Sequence, residues 1–186
     1  MRGRPFSPAA GPTVRAAALL LRVARLLIDW RVTKRLSSDA GTGRLEPDDQ
    51  AERACGEPPP AELILAVRQF NRGEYFEQHE TLELLWRREP RRIRRLYQGV
   101  LLVGAGLHHL RRGNYHGALA LMQRGMRRLA PFSPQCQGVD VADLIARTTV
   151  ACDLVARLGP GRLGQVDWAR MPRVRWAAEP AGGVGS

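Results

Sequence analysis

A chain of 186 residues with 44% apolar side chains can bury one core of ordinary size plus extensions, so a two-domain reading is unnecessary. The formal net charge of +11 and pI near 11.1 favour an anionic partner, nucleic acid or a membrane surface. Cys55, Cys136 and Cys152 are far apart with no C-x-x-C pair, which argues against a disulfide framework or a thiolate metal site and points to a reducing, cytoplasmic setting. The charge is uneven along the chain. Basic side chains dominate residues 1–36 and 61–130, and acidic ones dominate 37–60 between them.

Residues 1–36 form a basic extension in which Pro5, Pro8, Gly11 and Pro12 precede an amphipathic helix expected over 14–36. Arg15, Arg22, Arg25, Asp29 and Thr33 share one face of that helix, and Leu20, Val23, Leu27 and Trp30 the other. Such a helix suits docking on the main domain or on a partner. Contact with a membrane surface, or an organellar leader, is the alternative and would make the protein membrane-peripheral or organellar. The apolar run Ala16 to Leu21 is too short to span a bilayer.

Residues 37–60 are acidic and rich in turn formers, ending in Pro58-Pro59-Pro60, and read as a disordered linker. A helical domain is expected over 61–160. Its helices run from Ala61 to Phe70, ending at Gly73; from Glu74 to Arg88, before Pro90; from Arg91 to Arg111, before Gly113; from Tyr115 to Leu129, before Pro131; and from an Asp140 N-cap to Leu158, before Gly159-Pro160. No strand pattern is evident. The stretch FNRGEYFEQHE at 70 echoes as LRRGNYHGALA at 110, each copy a helix, a glycine turn and a helix starting beside a tyrosine. The expected fold is therefore all-α, a compact bundle of about five helices built from two helical hairpins plus a closing helix, with the extra N-terminal helix. Residues 161–186 form a tail with Trp168 and Trp176 able to lie across the bundle and a loose AGGVGS end.

Within the second helix, Phe76, His79, Glu83 and Trp86 lie on one stripe at steps of three, four and three. Aromatic ends facing the core carry His79 and Glu83 inward, where a carboxylate needs partners. Gly99, Gly104 and Gly106 weaken the third helix unless they permit close approach. Close packing of these two helices would gather His79, Glu80, Glu83, Trp86, Gln98 and His108 into a polar pocket. His109 and His116 are expected on exposed turns.

The runs YFEQHETLELLW, YQGVLLVGAGLH and RRGNYHGALALM resemble the family known as domain of unknown function 309, over about residues 61–130. The shared order H-E-x-x-E-x-x-W, Q-G, L-H, G-N and G-A falls on His79, Glu80, Glu83, Trp86, Gln98, Gly99, Leu107, His108, Gly113, Asn114, Gly117 and Ala118. The resemblance implies a small all-helical bundle and supplies no activity.

The reading favoured by these residues is a binding or scaffolding module rather than an enzyme, with a buried His/Glu cluster that fixes how the hairpins dock, and with a protein partner or self-association. Two alternatives stay open. His79, Glu83 and His108 form a two-histidine, one-carboxylate set that a divalent metal could use in a hydrolase-like enzyme, although no cofactor is required and H-E-x-x-E lacks the second helical histidine of the zinc-protease signature. The arginines of RREPRRIRRL, Arg87, Arg88, Arg91, Arg92, Arg94 and Arg95, could instead grip RNA or another phosphate-bearing partner.

Overall fold

The computed structural model describes residues 49–177, with side chains from Arg53 onward. The amphipathic helix expected at 14–36, the first part of the linker and the terminal AGGVGS lie outside the described residues. The elements in chain order are α1 (Asp49–Gly56), α2 (Ala61–Arg72), α3 (Tyr75–Arg88), α4 (Arg94–Arg111), α5 (Tyr115–Leu129), a two-stranded hairpin of β1 (Gln135–Cys136) and β2 (Val139–Asp140), and α6 (Val141–Leu158). A short 3-10 turn at 130–132 separates α5 from the hairpin, and two more, at 160–165 and 168–170, follow α6. The all-α bundle of two hairpins and a closing helix is present.

Each hairpin forms for local reasons. Pro60 starts α2 with its carbonyl accepting from Leu63 and Ile64 N–H at 2.9 and 3.2 Å. Helix α2 buries Leu63, Ala66, Val67 and Phe70, the spacing of one apolar face. It stops at Gly73, whose φ of 76° is the left-handed geometry a Cβ resists, and the Gly73 and Glu74 amides close the turn onto Phe70 and Gln69 carbonyls. Gly113, with φ 75°, repeats that geometry between α4 and α5. Asn114 then caps α5 by accepting from the Gly117 amide at 2.9 Å, and Asp140 caps α6 by accepting from Asp143 at 2.8 Å.

Helix α4 is apolar almost all round and forms the centre of the bundle, buried continuously from Leu96 to Leu107. Two of its glycines admit α5. A Cβ at Gly106 would meet the Ala118 carbonyl at 3.0 Å, and one at Gly99 would meet Leu129 Cγ at 2.7 Å. From the other side, a Cβ at Gly125 of α5 would stand 2.9 Å from the Gly99 carbonyl oxygen.

Three expectations need correction. Helix α4 begins at Arg94, not Arg91, because the Glu89 carboxylate binds both the amide and Nε of Arg91 at 2.9 Å and holds 91–93 in a turn. Residues 49–56, expected as disordered linker, form α1 and bury Ala54. The cysteines are not all independent: Cys55 of α1 and Cys136 of β1 form a disulfide, and the Gln137 amide donates to the Cys55 carbonyl at 2.8 Å. Spacing along the chain gave no hint of this bridge, because its half-cystines are 81 residues apart and meet only through the tertiary fold.

The hairpin itself turns at Gln137 and Gly138, both with positive φ, and strands of two residues are too short to show an alternating pattern. Gln137 is buried and its side-chain oxygen accepts from the Tyr97 hydroxyl of α4 at 2.9 Å. The C-terminal segment crosses the bundle. Trp176 pairs with Val139, the Asp140 amide donates to Arg175 at 2.9 Å, and the Asn71 side chain clasps the Val174 backbone through two hydrogen bonds of 2.8 and 2.9 Å.

Candidate functional site: a packed polar seam and an open basic cleft

The polar residues of α3 meet α4 along a seam whose centre differs from the expected stripe. The buried positions are Tyr75, Gln78, His79, Leu82 and Leu85, while Phe76 and Trp86 are only half-buried. The inward face is thus rotated from the one that an aromatic-ended stripe implies, and Gln78 occupies its middle. Gln78 is fully buried, donates from Nε2 to the Val100 carbonyl at 3.3 Å, and sits where a Cβ on Gly104 would fall 2.3 Å from its Oε1. Gly104 therefore leaves room for an amide, and the helix-weakening glycine was the sequence signal that a polar neighbour was seated there.

His79 is buried beside it. Its Nδ1 makes no hydrogen bond and stands 3.9 Å from Glu83 Oε2. Burial pushes its pKa below the ordinary range, the Glu83 carboxylate pulls it back up, and His108 and Arg87 add to the depression. Glu83 keeps 28% of its side chain exposed and binds Arg87 at 2.6 Å, so its main partner is an exposed arginine one turn on rather than a buried histidine. Replacing Glu83 with alanine is accordingly a small loss of about 0.5 kcal/mol for the helical ion pair, in place of the large penalty that a buried carboxylate implies. Glu80 is exposed and takes no part in the seam, Gln98 is buried, and His108 is half-buried. His109, expected on an exposed turn, is buried with Nδ1 2.8 Å from Asn114 Nδ2, while His116 is exposed.

Among the described residues no three His, Cys, Asp or Glu side chains are arranged to hold a metal ion, so His79, Glu83 and His108 do not complete a ligand set. Cys152 is a buried thiol pushed up to about 11, chiefly by burial, and stays protonated.

The pH dependence of stability follows from His79. Its folded pKa lies below the usual 6.5, so as pH falls through that value the unfolded chain takes up a proton first. The stabilisation by the neutral ring is complete above about pH 6.5 and declines below it, toward the lower folded pKa. Glu62 and Glu89, held below the ordinary 4.5 by hydrogen bonds from Arg88 and Arg91, lose their contributions only at more acidic pH. Urea unfolding from pH 7 down to about 5 should show a slope that His79→Gln flattens. An identical slope in the variant would place the titrating group elsewhere.

The arginine run is largely occupied. Arg87 binds Glu83, Arg88 binds Glu62, and Arg91 binds Glu57 at 2.7 Å and Glu89 at 2.9 Å, which raises the Arg91 pKa further. Arg94 lies 5.0 Å over the Trp86 ring, Arg95 is half-buried, and Arg92 is exposed. These contacts tie the end of α3 to α2 through Arg88, the turn before α4 to Glu57 through Arg91, and the start of α4 to α3 through Arg94.

The basic groups that face open space are elsewhere. A cleft of about 300 Å³ is lined by Phe70 to Gly73 of the first turn, Tyr75, Arg111, and the C-terminal stretch Trp168, Ala169 and Met171 to Arg173. Arg111 is clamped there. Its guanidinium lies 4.8 Å from the Tyr75 ring and 5.1 Å from the Trp168 ring, and Nη1 donates to the Gly73 carbonyl at 2.6 Å. The sequence marked Gly73 and Tyr75 through the repeat, but Arg111, Trp168 and Arg173 reach the same place only through tertiary folding.

No curated protein matches the chain. Residues 63–121, from α2 into α5, match the family model described as Domain of unknown function (DUF309), which is the family that the sequence resembles.

Proposed function

We propose that the helical domain is a binding module, in which the α3–α4 seam is a structural clasp and the cleft beside the first glycine turn is the contact surface. The contrast between the two places carries this reading. At the seam, the Gln78 side chain fills the space that Gly104 leaves, and His79 is buried beside it, although Gln78 Oε1 and His79 Nδ1 make no hydrogen bond. At the cleft, aromatic and cationic side chains surround open volume of the size at which small-ligand pockets begin. A protein partner that inserts a side chain or terminus into the same cleft is compatible with it.

The arginine run supports a phosphate or RNA grip less well, since three of its guanidinium groups already have carboxylate partners. The hydrolase alternative lacks its third ligand among the described residues. Two-dimensional NMR of the labelled full-length chain against a small-molecule library tests the proposal. Hits should shift backbone signals of residues 70–75 and 168–173. Hits that map to His79 and His108 would move the functional site to the seam and overturn the reading.

A further inference from the structure

The cleft has an unusual electrostatic lining. Arg72, Arg111 and Arg173 contribute to it and no carboxylate does. The acidic residues adjacent in sequence, Glu74 and Asp167, do not line it, and Asp167 already accepts from the Ala169 amide at 3.0 Å. Neither Arg72 nor Arg173 has an ion-pair partner among the described residues, in contrast to Arg87, Arg88 and Arg91 on the other side of the domain. Like charges gathered around one recess repel one another, and an anion relieves that repulsion.

A second feature concerns Tyr75. The residue is only 6% exposed, lines the cleft and has no hydrogen-bond partner for its hydroxyl among the described residues. Its ring is fixed edge-on to Phe70 at 5.6 Å and by Arg111 across its face. Burial raises its pKa against the opposing fields of Arg111 and Arg173, so the hydroxyl keeps its proton as a donor. The hydroxyl oxygen is open to solvent, and because the residue lines the cleft a ligand oxygen there can accept from it in place of water.

We infer that the cleft binds a small phosphate monoester, its phosphoryl oxygens received by Arg111, Arg173 and the Tyr75 hydroxyl and its organic group lying along Trp168. A phosphate monoester carries nearly two negative charges at neutral pH and three acceptor oxygens, which suits this donor set better than a singly charged carboxylate. Trp168, at 39% exposure, presents a large apolar surface at the rim of the same cleft. This inference rests on the cleft being the contact surface, as proposed above.

Calorimetric titration of the full-length chain with phenyl phosphate tests it, with inorganic phosphate, phenylacetate and benzyl alcohol titrated alongside. Phenyl phosphate should bind at one site and inorganic phosphate more weakly. Arg173→Gln, an exposed change that leaves the thermal midpoint in place, should weaken phenyl phosphate about tenfold, as removal of one charge-assisted contact does. Arg72→Gln provides a second exposed variant expected to weaken it in the same direction. Unchanged affinity in both variants, or no phosphate binding at all, overturns the inference. If phenylacetate or benzyl alcohol binds instead and shifts residues 70–75 and 168–173, only the ligand class is wrong; if no probe shifts those residues, the contact surface falls with it.

Discussion

Cys55→Ser is expected to lower the unfolding free energy by about 4 kcal/mol, the chain-entropy value for releasing a covalent loop of this size. The bridge spans 81 positions, and cutting it restores to the unfolded chain the freedom that so long a loop forfeits. In the folded state it also frees α1, whose buried Ala54 and carbonyl contact to Gln137 are anchored beside it. Urea unfolding should show the variant and the wild-type protein in reducing agent shifting to the same lower midpoint. A midpoint insensitive to both changes would mean that the bridge contributes nothing to the native protein.

Gly125→Ala should destabilise the protein by about 2 kcal/mol, although alanine is the better helix former by about 1 kcal/mol. The reason is the identity of the atoms that the new methyl would meet. Two of the three nearest, the Gly99 carbonyl oxygen at 2.9 Å and the Val103 amide nitrogen at 3.0 Å, are backbone, which cannot rotate aside. The helices α4 and α5 would have to separate, loosening Leu102, Val103 and Leu107 in the middle of the core. Gly113→Ala makes an informative comparison. Nothing stands within 4 Å of its Cβ, so its cost arises from the positive φ alone and should be about 1 kcal/mol. Thermal or urea unfolding of the two variants checks the order, and a stabilised Gly125→Ala protein would refute the close approach of these helices.

Much of the fold was legible because its punctuation is local. Gly73, Gly113, Asn114 and Asp140 mark helix ends through their own backbone geometry or side chains, and each acts within a few residues. The seam was legible in part. His79 does turn inward, yet Glu80 faces solvent and Glu83 pairs with Arg87, because the buried face of α3 is set by Tyr75, Gln78, Leu82 and Leu85 rather than by Phe76 and Trp86. An amphipathic wheel with polar residues on both sides does not fix that rotation; packing against α4 does. The disulfide and the short hairpin were not legible, and of the cleft only Gly73 and Tyr75 were marked, through the repeat. The disulfide and the cleft depend on residues from distant parts of the chain, as when Asn71 and Val174 hold together two walls of the cleft. The hairpin is local, and its two-residue strands are too short to show an alternating pattern.

The covalent link between Cys55 and Cys136 makes a closed ring of the intervening polypeptide, and the segment matching the family model, 63–121, lies wholly inside it. A protease that nicks one exposed peptide bond within the ring would thus release no fragment. On a denaturing gel such a nicked molecule should migrate near full length without thiol and separate into two pieces once thiol is added.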